Sequence, residues 1–540
     1  MLSMYRRIII LICLKLASPT LAIQTNVFLS NLRADRQAPL PTTYTAHLSR
    51  SEFPLDQGFH LGDYQPERGI EFSTDKAGNW SLLFKIGDRI YWDTASMYQV
   101  PVITHSYPDL IKFYFQPNDG VRVDALFHVY SSRIAILYLD FRNLSDQDIE
   151  LEWYSYLHNP YRMFNDFKYH PRDPAEREQI QRELFDCLQT DPNPFIAENE
   201  SLFANIPKLK SADEEIQLLY YSAFNLIRQV MLPAEGRCGF NYYVFSSEPT
   251  WGWGHGGQVF HERITMLAYA FLDARSAMYS QRIYRRRQYD NGYINYCTGP
   301  YLDEIIEHEG ELTSSVPWYA WLNWEVFTIT KDYQFLLEIY ESSKRFYHYY
   351  TSNRDKDGDG LCEWGGHAVL ESVRDAYVAV WDEVGWPSQF EALDLNGMLV
   401  MEAEALAQMA ERLTLQEEAE QWRRDAQKRR KQINETFWDE QSGFYYHVSR
   451  DKHTFSHRSG NDLKRVEIIG FLPLWAGIAT PKQARRLVDH QTDDLKFWCS
   501  LGIPSLSADD PYYNDKRILK QPGLSTVELP DHARINQLWI

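Results

Sequence analysis

The feature that most constrains this chain is a change of period near residue 211. Before it, apolar residues alternate with polar ones over short runs; after it they recur every three or four positions. A period of two puts one face of a strand into a core, and a period near 3.6 puts one stripe of a helix there. A sheet-forming part and a helix-forming part therefore follow one another in a single polypeptide.

In the first part Asn79–Ile86, Lys112–Phe115, Ala125–Tyr130, Ile134–Asp140 and Ile149–Tyr154 read as strands, punctuated by turn residues such as Gln116-Pro117-Asn118-Asp119-Gly120. Many short strands with no helix between them predict an antiparallel β-sandwich over residues 23–200. The charged stretch Asp173–Glu183 reads as a connecting helix or linker. In the second part the spacing predicts helices over Ala212–Met231, Phe260–Ser276, Trp318–Thr330, Asp332–Tyr350, Asn396–Leu413, Leu415–Phe437 and Val466–Leu474. No strand-like run alternates with them, which argues against a TIM barrel. Helix pairs joined by loops rich in Gly, Trp, Asp and His suit an (α/α) toroid over residues 201–540.

Arg6 and Arg7 precede an apolar run, Ile8–Leu16, and Thr20-Leu21-Ala22 offers a small-residue cleavage point. The run is too short to span a bilayer. Residues 1–22 are therefore expected to be a signal peptide, with the protein secreted or periplasmic. The remaining cysteines, Cys187, Cys238, Cys297, Cys362 and Cys499, are scattered without a CxxC pair, so neither zinc nor a disulfide scaffold is indicated. A net charge of −19 argues against nucleic acid and anionic membranes as partners.

Three loop clusters carry residue types suited to chemistry. Thr250-Trp251-Gly252-Trp253-Gly254-His255-Gly256-Gly257 joins two indole faces, on which a sugar ring can stack, to Gln258 and to Glu262 at a helix start. Asp290-Asn291-Gly292-Tyr293 and Pro317-Trp318-Tyr319 supply an amide, hydroxyls and aromatics ahead of Trp321, Trp324 and Glu325. Asp355, Asp357 and Asp359 alternate before Gly360, as in the opening of a calcium loop. Here the twelfth loop position is Gly366, and the nearest glutamate is Glu363; Ca²⁺ held by Asp355, Asp357, Asp359 and Glu363 is the expectation. No organic cofactor is indicated. Downstream, Glu371, Asp375, Asp382, Glu383, Glu391 and Asp394 lie among Trp381, Trp386 and Arg374. Hydrolysis of a glycoside takes two such carboxyl groups, one to protonate the leaving oxygen and one to activate water. Periodicity alone does not choose between them.

From about Glu214 to Tyr513 the chain resembles glycoside hydrolase family 63 and its mannosylglycerate-hydrolase-like relatives. The resemblance rests on Gln288-Tyr289-Asp290-Asn291-Gly292-Tyr293, Pro317-Trp318-Tyr319-Ala320-Trp321, the Asp-Gly-Asp-Gly-Leu loop, Asp394-Leu395-Asn396 and Ser505-Leu506-Ser507-Ala508-Asp509-Asp510-Pro511-Tyr512-Tyr513. It implies an (α/α)6 barrel behind a β-sandwich, and hydrolysis of α-glycosidic bonds with inversion. It makes Asp375 the general acid, in Leu370-Glu371-Ser372-Val373-Arg374-Asp375, where the family has Trp and Gly in place of Leu370 and Val373; Asp382 is the fallback. Trp251, Trp253, His255, Gln258, Glu262, Trp318, Trp381 and Trp386 would shape the sugar site. The family's base follows a segment that has no counterpart here after about Lys516, so the C-terminal part of the barrel is expected to be missing or divergent. A frameshift near Pro522 would account for that. Two other readings stay open: a carbohydrate-binding protein without catalysis, and another (α/α)6 enzyme such as a trehalase or α-rhamnosidase.

Overall fold

The computed structural model describes residues 9–14, 32–33, 43–51, 59–61, 70–74, 79–132, 134–158, 193–234, 239–243, 257–295, 297–298, 307–308, 310–312, 315–365, 387–457, 460–500, 502–510 and 513, with isolated positions at 175, 178–179, 182, 185–186 and 305. It divides into two compact units. One comprises Met1–Gly257, Ala268–Ser280 and Gly299–Tyr301; the other comprises Gln258–Leu267, Gln281–Thr298 and Leu302–Ile540.

The first unit holds two six-stranded sheets. One contains β1 (Ile9–Leu14), β2 (Leu32–Arg33), β8 (Gln99–Ser106), β9 (Leu110–Asn118), β10 (Val121–Ser131) and β11 (Ile134–Asn143), in the order β1-β11-β10-β9-β8-β2. The other contains β3 (Thr43–Tyr44), β4 (Phe59–Leu61), β5 (Glu71–Thr74), β6 (Asn79–Ile86), β7 (Arg89–Tyr91) and β12 (Leu151–His158), in the order β12-β6-β5-β4-β3 with β7 also on β6. Alternation sends Phe113, Phe115, Val123 and Phe127 of the first sheet and Phe72, Leu82, Phe84 and Tyr91 of the second into one core. Phe72 and Phe127 meet across it with ring centroids 4.4 Å apart. Ile9–Leu14, the apolar stretch expected in a leader, forms a parallel pair with Ile134–Leu139.

The opposite face of the first sheet is covered by helix α1 (Asn193–Phe203). Phe195 packs on His128 at 4.5 Å, and Asn199 Nδ2 donates to Asp109 Oδ1 at 2.7 Å. From α2 (Glu214–Gln229), Asn225 Nδ2 donates to the Ser106 carbonyl at 3.0 Å. Asp109 is fully buried, and Arg50 at 3.4 Å supplies opposite charge. Two further helices follow, α3 (Val259–Leu272) and α4 (Ala274–Arg287).

The second unit is largely helical. A hairpin of α5 (Tyr319–Thr330) and α6 (Tyr333–Asn353) is followed by one of α7 (Leu393–Arg412) and α8 (Gln416–Thr436). Contacts ascend together along α6 and α8: Tyr340 with Trp422, Tyr347 with Arg429, then the Asp359 carbonyl with Gln432. These two helices are thus parallel, and so are their hairpin partners α5 and α7. Sixteen residues of α7 are buried, from Leu393 to Ala410, so α7 is the central helix of the unit. A short α9 (Leu472–Trp475) and α10 (Pro481–Gln491) complete the described helices.

Candidate active site and metal centre

The parallel pair sets two helix starts at different heights. Glu402, mid-way along α7 and fully buried, accepts from the N–H groups of Ala320 (2.9 Å, Oε2) and Trp321 (2.8 Å, Oε1). The start of α5 therefore lies about nine residues, or ~13 Å of helix rise, below the start of α7. Unpaired N–H groups at a helix start favour a negative partner, which Glu402 supplies.

Above that level the connecting segments gather at one end of the unit. The Tyr350 hydroxyl, near the end of α6, donates to the Ser315 carbonyl, and Arg354 bonds Glu311 and the Leu312 carbonyl. Trp364 Nε1 donates to Asp394 Oδ1 at 3.1 Å, in the first turn of α7. The other oxygen of Asp394, buried, has no hydrogen-bond partner among the described residues. Leu393 N–H donates to His447 Nδ1 at 3.1 Å, which leaves the proton of a neutral ring on Nε2.

Asn396 ties the Asp/Gly loop to α7. Its Oδ1 accepts from Cys362 N–H at 3.0 Å, and its Nδ2 donates to the carbonyls of Cys362 and Ala392, both at 2.9 Å. Asn396→Ala is expected to cost about 1–3 kcal/mol by stranding the buried N–H of Cys362, whose carbonyl keeps the Ala392 N–H as a partner. Urea unfolding followed by tryptophan fluorescence measures this; an unchanged midpoint would show that the pairing contributes nothing.

The Asp/Gly loop itself is the densest concentration of charge. Gly358 and Gly360 have φ of +80° and +102°, which turn the backbone where a side chain would be strained. Arg429 and Gln432 of α8 grip the carbonyls of Gly360 and Asp359 at 2.9 and 2.8 Å. An antiparallel bridge then sets Glu363 beside Glu391. Both glutamates are fully buried, and among the described residues none of their four carboxylate oxygens has a hydrogen-bond partner. Oxygens of Asp357, Asp359 and Glu391 and a nitrogen of His453 lie within 4.8 Å of one another. His453 Nε2 is 3.1 Å from Asp359 Oδ2, and Arg450 Nε is 3.9 Å from Glu363 Oε1. Burial, and then the neighbouring carboxylates of Glu363, Asp359, Asp357 and Asp355, push Glu391 up to about 9. Burial likewise pushes Glu363 up to about 7.

Two members of the expected metal set, Asp357 and Asp359, thus meet in the tightest group. Asp355 and Glu363 stand outside that group but border it; one Asp355 oxygen is buried without a hydrogen-bond partner. Glu391 and His453 join from elsewhere in the chain. In loop numbering Asp355, Asp357, Asp359 and Glu363 take positions one, three, five and nine, and Glu391 supplies the carboxylate absent at position twelve. Buried, unpartnered carboxylate oxygens on a tight Asp/Gly turn fit a hard divalent cation such as Ca²⁺.

A second grouping is aromatic. Trp318, Trp321 and Trp475 form a triangle with ring centroids 5.4–5.6 Å apart. Trp318, expected at the sugar site, is 4% exposed, whereas Trp475 is 56% exposed. Glu262 is buried, with its oxygens bonded to Gln281 (3.1 Å) and Tyr284. Gln258 lies on a two-residue strand paired with Cys297–Thr298. Trp251, Trp253, His255, Asp375, Trp381, Asp382 and Trp386 lie outside the described residues, as does the chain after Tyr513.

This helical unit, with its Asp-Gly-Asp-Gly loop sewn to the start of α7, contains a stretch similar to a known family. Residues 264–520 match the mannosylglycerate hydrolase MGH1-like glycoside hydrolase domain. Over those residues the chain is similar to a glycoside hydrolase. A cytosolic neutral trehalase from Kluyveromyces lactis is 32% identical over 129 residues, which span 21% of this chain and 16% of the trehalase. Among solved structures, the family 63 mannosylglycerate hydrolase from Thermus thermophilus, in complex with glucose, is similar at a TM-score of 0.42 and 14% identity, covering 55% of this chain and 80% of that one. The neutral trehalase Nth1 from Saccharomyces cerevisiae gives 0.37 and 15%, covering 50% and 57%. A rhamnosidase from Klebsiella oxytoca gives 0.39 and 12%, covering 86% and 80%.

Proposed function

We propose that this protein is an exported α-glycosidase acting on an α-glucoside or short oligosaccharide with inversion at the anomeric carbon. The observation that carries the proposal is the match of residues 264–520 to a glycoside hydrolase domain. On this reading the helical unit is an (α/α)6 toroid, the two sheets ahead of it are a β-sandwich, and residues 1–22 are a leader. Asp375 is the general acid, protonating the glycosidic oxygen as the bond breaks, with Asp382 the alternative. A second carboxylate activates water on the opposite face of the ring; in inverting enzymes the two groups stand ~6.5–9.5 Å apart to leave room for it. Trp251, Trp253, His255, Trp318, Trp381 and Trp386 shape the sugar pocket on the same reading, with Gln258 and Glu262 bordering it.

Ca²⁺ is part of the proposal. Asp355, Asp357, Asp359, Glu363 and Glu391 would hold it, and its chemistry there is structural: it neutralises carboxylates that otherwise repel, and so fixes the Asp/Gly loop against α7. The trehalase match makes α,α-linked glucose a second substrate to test. The experiment is hydrolysis of aryl α-glucosides, α-mannosides, α-rhamnosides and trehalose by the full chain, with the anomer released followed by proton NMR. A β-configured sugar released from an α-glucoside is the expected result. No turnover of any of these, with sugar binding retained, overturns catalysis in favour of binding alone; release of the α-anomer overturns inversion.

A further inference from the structure

The second sheet of the first unit buries one face in the shared core and turns the other to solvent. On the buried face Leu82 and Phe84 are 1% and 0% exposed. On the other, the register places Lys85 between Ile90 and Glu152, and Leu83 beside Tyr154. Trp92 follows directly on Tyr91, the last residue of β7, which opposes Phe84. Cross-strand neighbours share a face, so Ile90–Lys85–Glu152 form a row across β7, β6 and β12 beside the pair Leu83–Tyr154, with Trp92 at the end of β7.

This face is open. Ile90, Trp92 and Tyr154 are 53%, 52% and 47% exposed. A solvent-facing sheet surface ordinarily carries polar side chains, and large apolar side chains grouped on one face mark a binding surface. β7 and β12 stand two strands apart, about 10 Å at the usual strand spacing. Between them runs a polar chain: Lys85 Nζ bonds Glu152, and the Tyr154 hydroxyl donates to the same carboxylate.

The composition selects the occupant. A nucleic acid would need a positive field, and the chain carries −19. An apolar protein surface, including a second copy of this chain, would have to cover the ion pair of Lys85 and Glu152, taking it out of water at a cost its attraction does not offset. A carbohydrate chain needs both features together: flat rings for its C–H faces, and fixed donors and acceptors for its hydroxyls. We propose that the outer face of β7, β6 and β12, built on Trp92, Leu83, Tyr154, Lys85 and Glu152, is an accessory binding surface for a run of a few pyranose rings, separate from the site that hydrolyses them. The choice of ligand class rests on the glycosidase reading.

The test is migration of the full chain in native gels cast with amylose, dextran or glucomannan. At least one of these is expected to retard the protein. Trp92→Ala combined with Tyr154→Ala should weaken that retardation about tenfold or more in apparent affinity, while Trp92→Phe restores most of it. The double variant should keep the parent's melting temperature and its rate on an aryl α-glycoside, since both rings are exposed and neither enters the core between the sheets. A parent retarded by none of the three overturns the proposal, and so does a double variant retarded as much as the parent. A chain that turns over no glycoside yet loses retardation in the double variant would overturn catalysis and leave this surface standing.

Discussion

Asp375→Asn is expected to lower kcat on a natural α-glycoside by a factor of about 10² to 10⁴, with KM little changed, because a general acid acts in the transition state and contributes roughly that much. Asparagine keeps the shape and hydrogen-bonding reach of the side chain but has no acidic proton for the departing oxygen. The deficit should shrink on aryl glycosides whose phenolate leaves without protonation, and this distinguishes lost acid catalysis from a distorted pocket, which would slow every substrate alike. Steady-state kinetics of parent and variant on paired substrates, with Asp382→Asn alongside, decides the assignment. Full activity in Asp375→Asn and its loss in Asp382→Asn would move the acid to Asp382.

Calcium added to chelated protein is expected to raise the melting temperature by several degrees, because ligand at about a hundred times its dissociation constant stabilises by about 2.7 kcal/mol. The gain comes from the buried oxygens of Glu363 and Glu391, which have no hydrogen-bond partner among the described residues, and from the aspartates crowding them. The pH dependence has a definite sign. Both glutamates have folded values raised above the ordinary 4.5, to about 7 and about 9. In metal-free protein their contribution to stability is present in full below 4.5 and lost as pH rises through those values. Calcium binds the deprotonated forms, so its stabilising effect grows over the same range. Glu391→Gln should leave the chelated protein close to the parent and remove most of the calcium response. Differential scanning calorimetry at about pH 5.5 and about pH 8, with calcium or chelator, tests this; equal melting temperatures at the higher pH would remove the metal.

Much of the architecture is legible in residue periodicity, and the exceptions have physical causes. Asn79–Ile86 is a strand over the residues its alternation marks, and Tyr319–Thr330 begins one residue after the start the spacing predicts. The start of α7, by contrast, lies three residues ahead of Asn396, because Leu393, Asp394 and Leu395 are all buried and show no amphipathic contrast. Helix α4 escapes a hydrophobic search because its sequence ends Arg-Arg-Arg. Helix α10 escapes because most of its residues are polar, although Thr480, Pro481 and Gln483 form a capping box with proline in the first turn. In the carboxylate cluster the alternate aspartates announce themselves locally. Glu391 is visible only as one acid among several, since the bridge that sets it against Glu363 joins residues 28 positions apart. His453 gives no signal: it sits at φ +50° in a turn, and only the folded chain delivers it to Asp359.

Glu402 has a consequence for the helix start it meets. A helix start set low among its neighbours would ordinarily serve as an anion receptor, ready for a sugar acid, a phosphate or the carboxylate of a glycerate. Here the protein's own carboxylate already occupies it, buried and bonded to two backbone amides. The start of α5 is thus already capped from within, by one residue on a neighbouring helix, and its first amides are spent on holding α5 against α7.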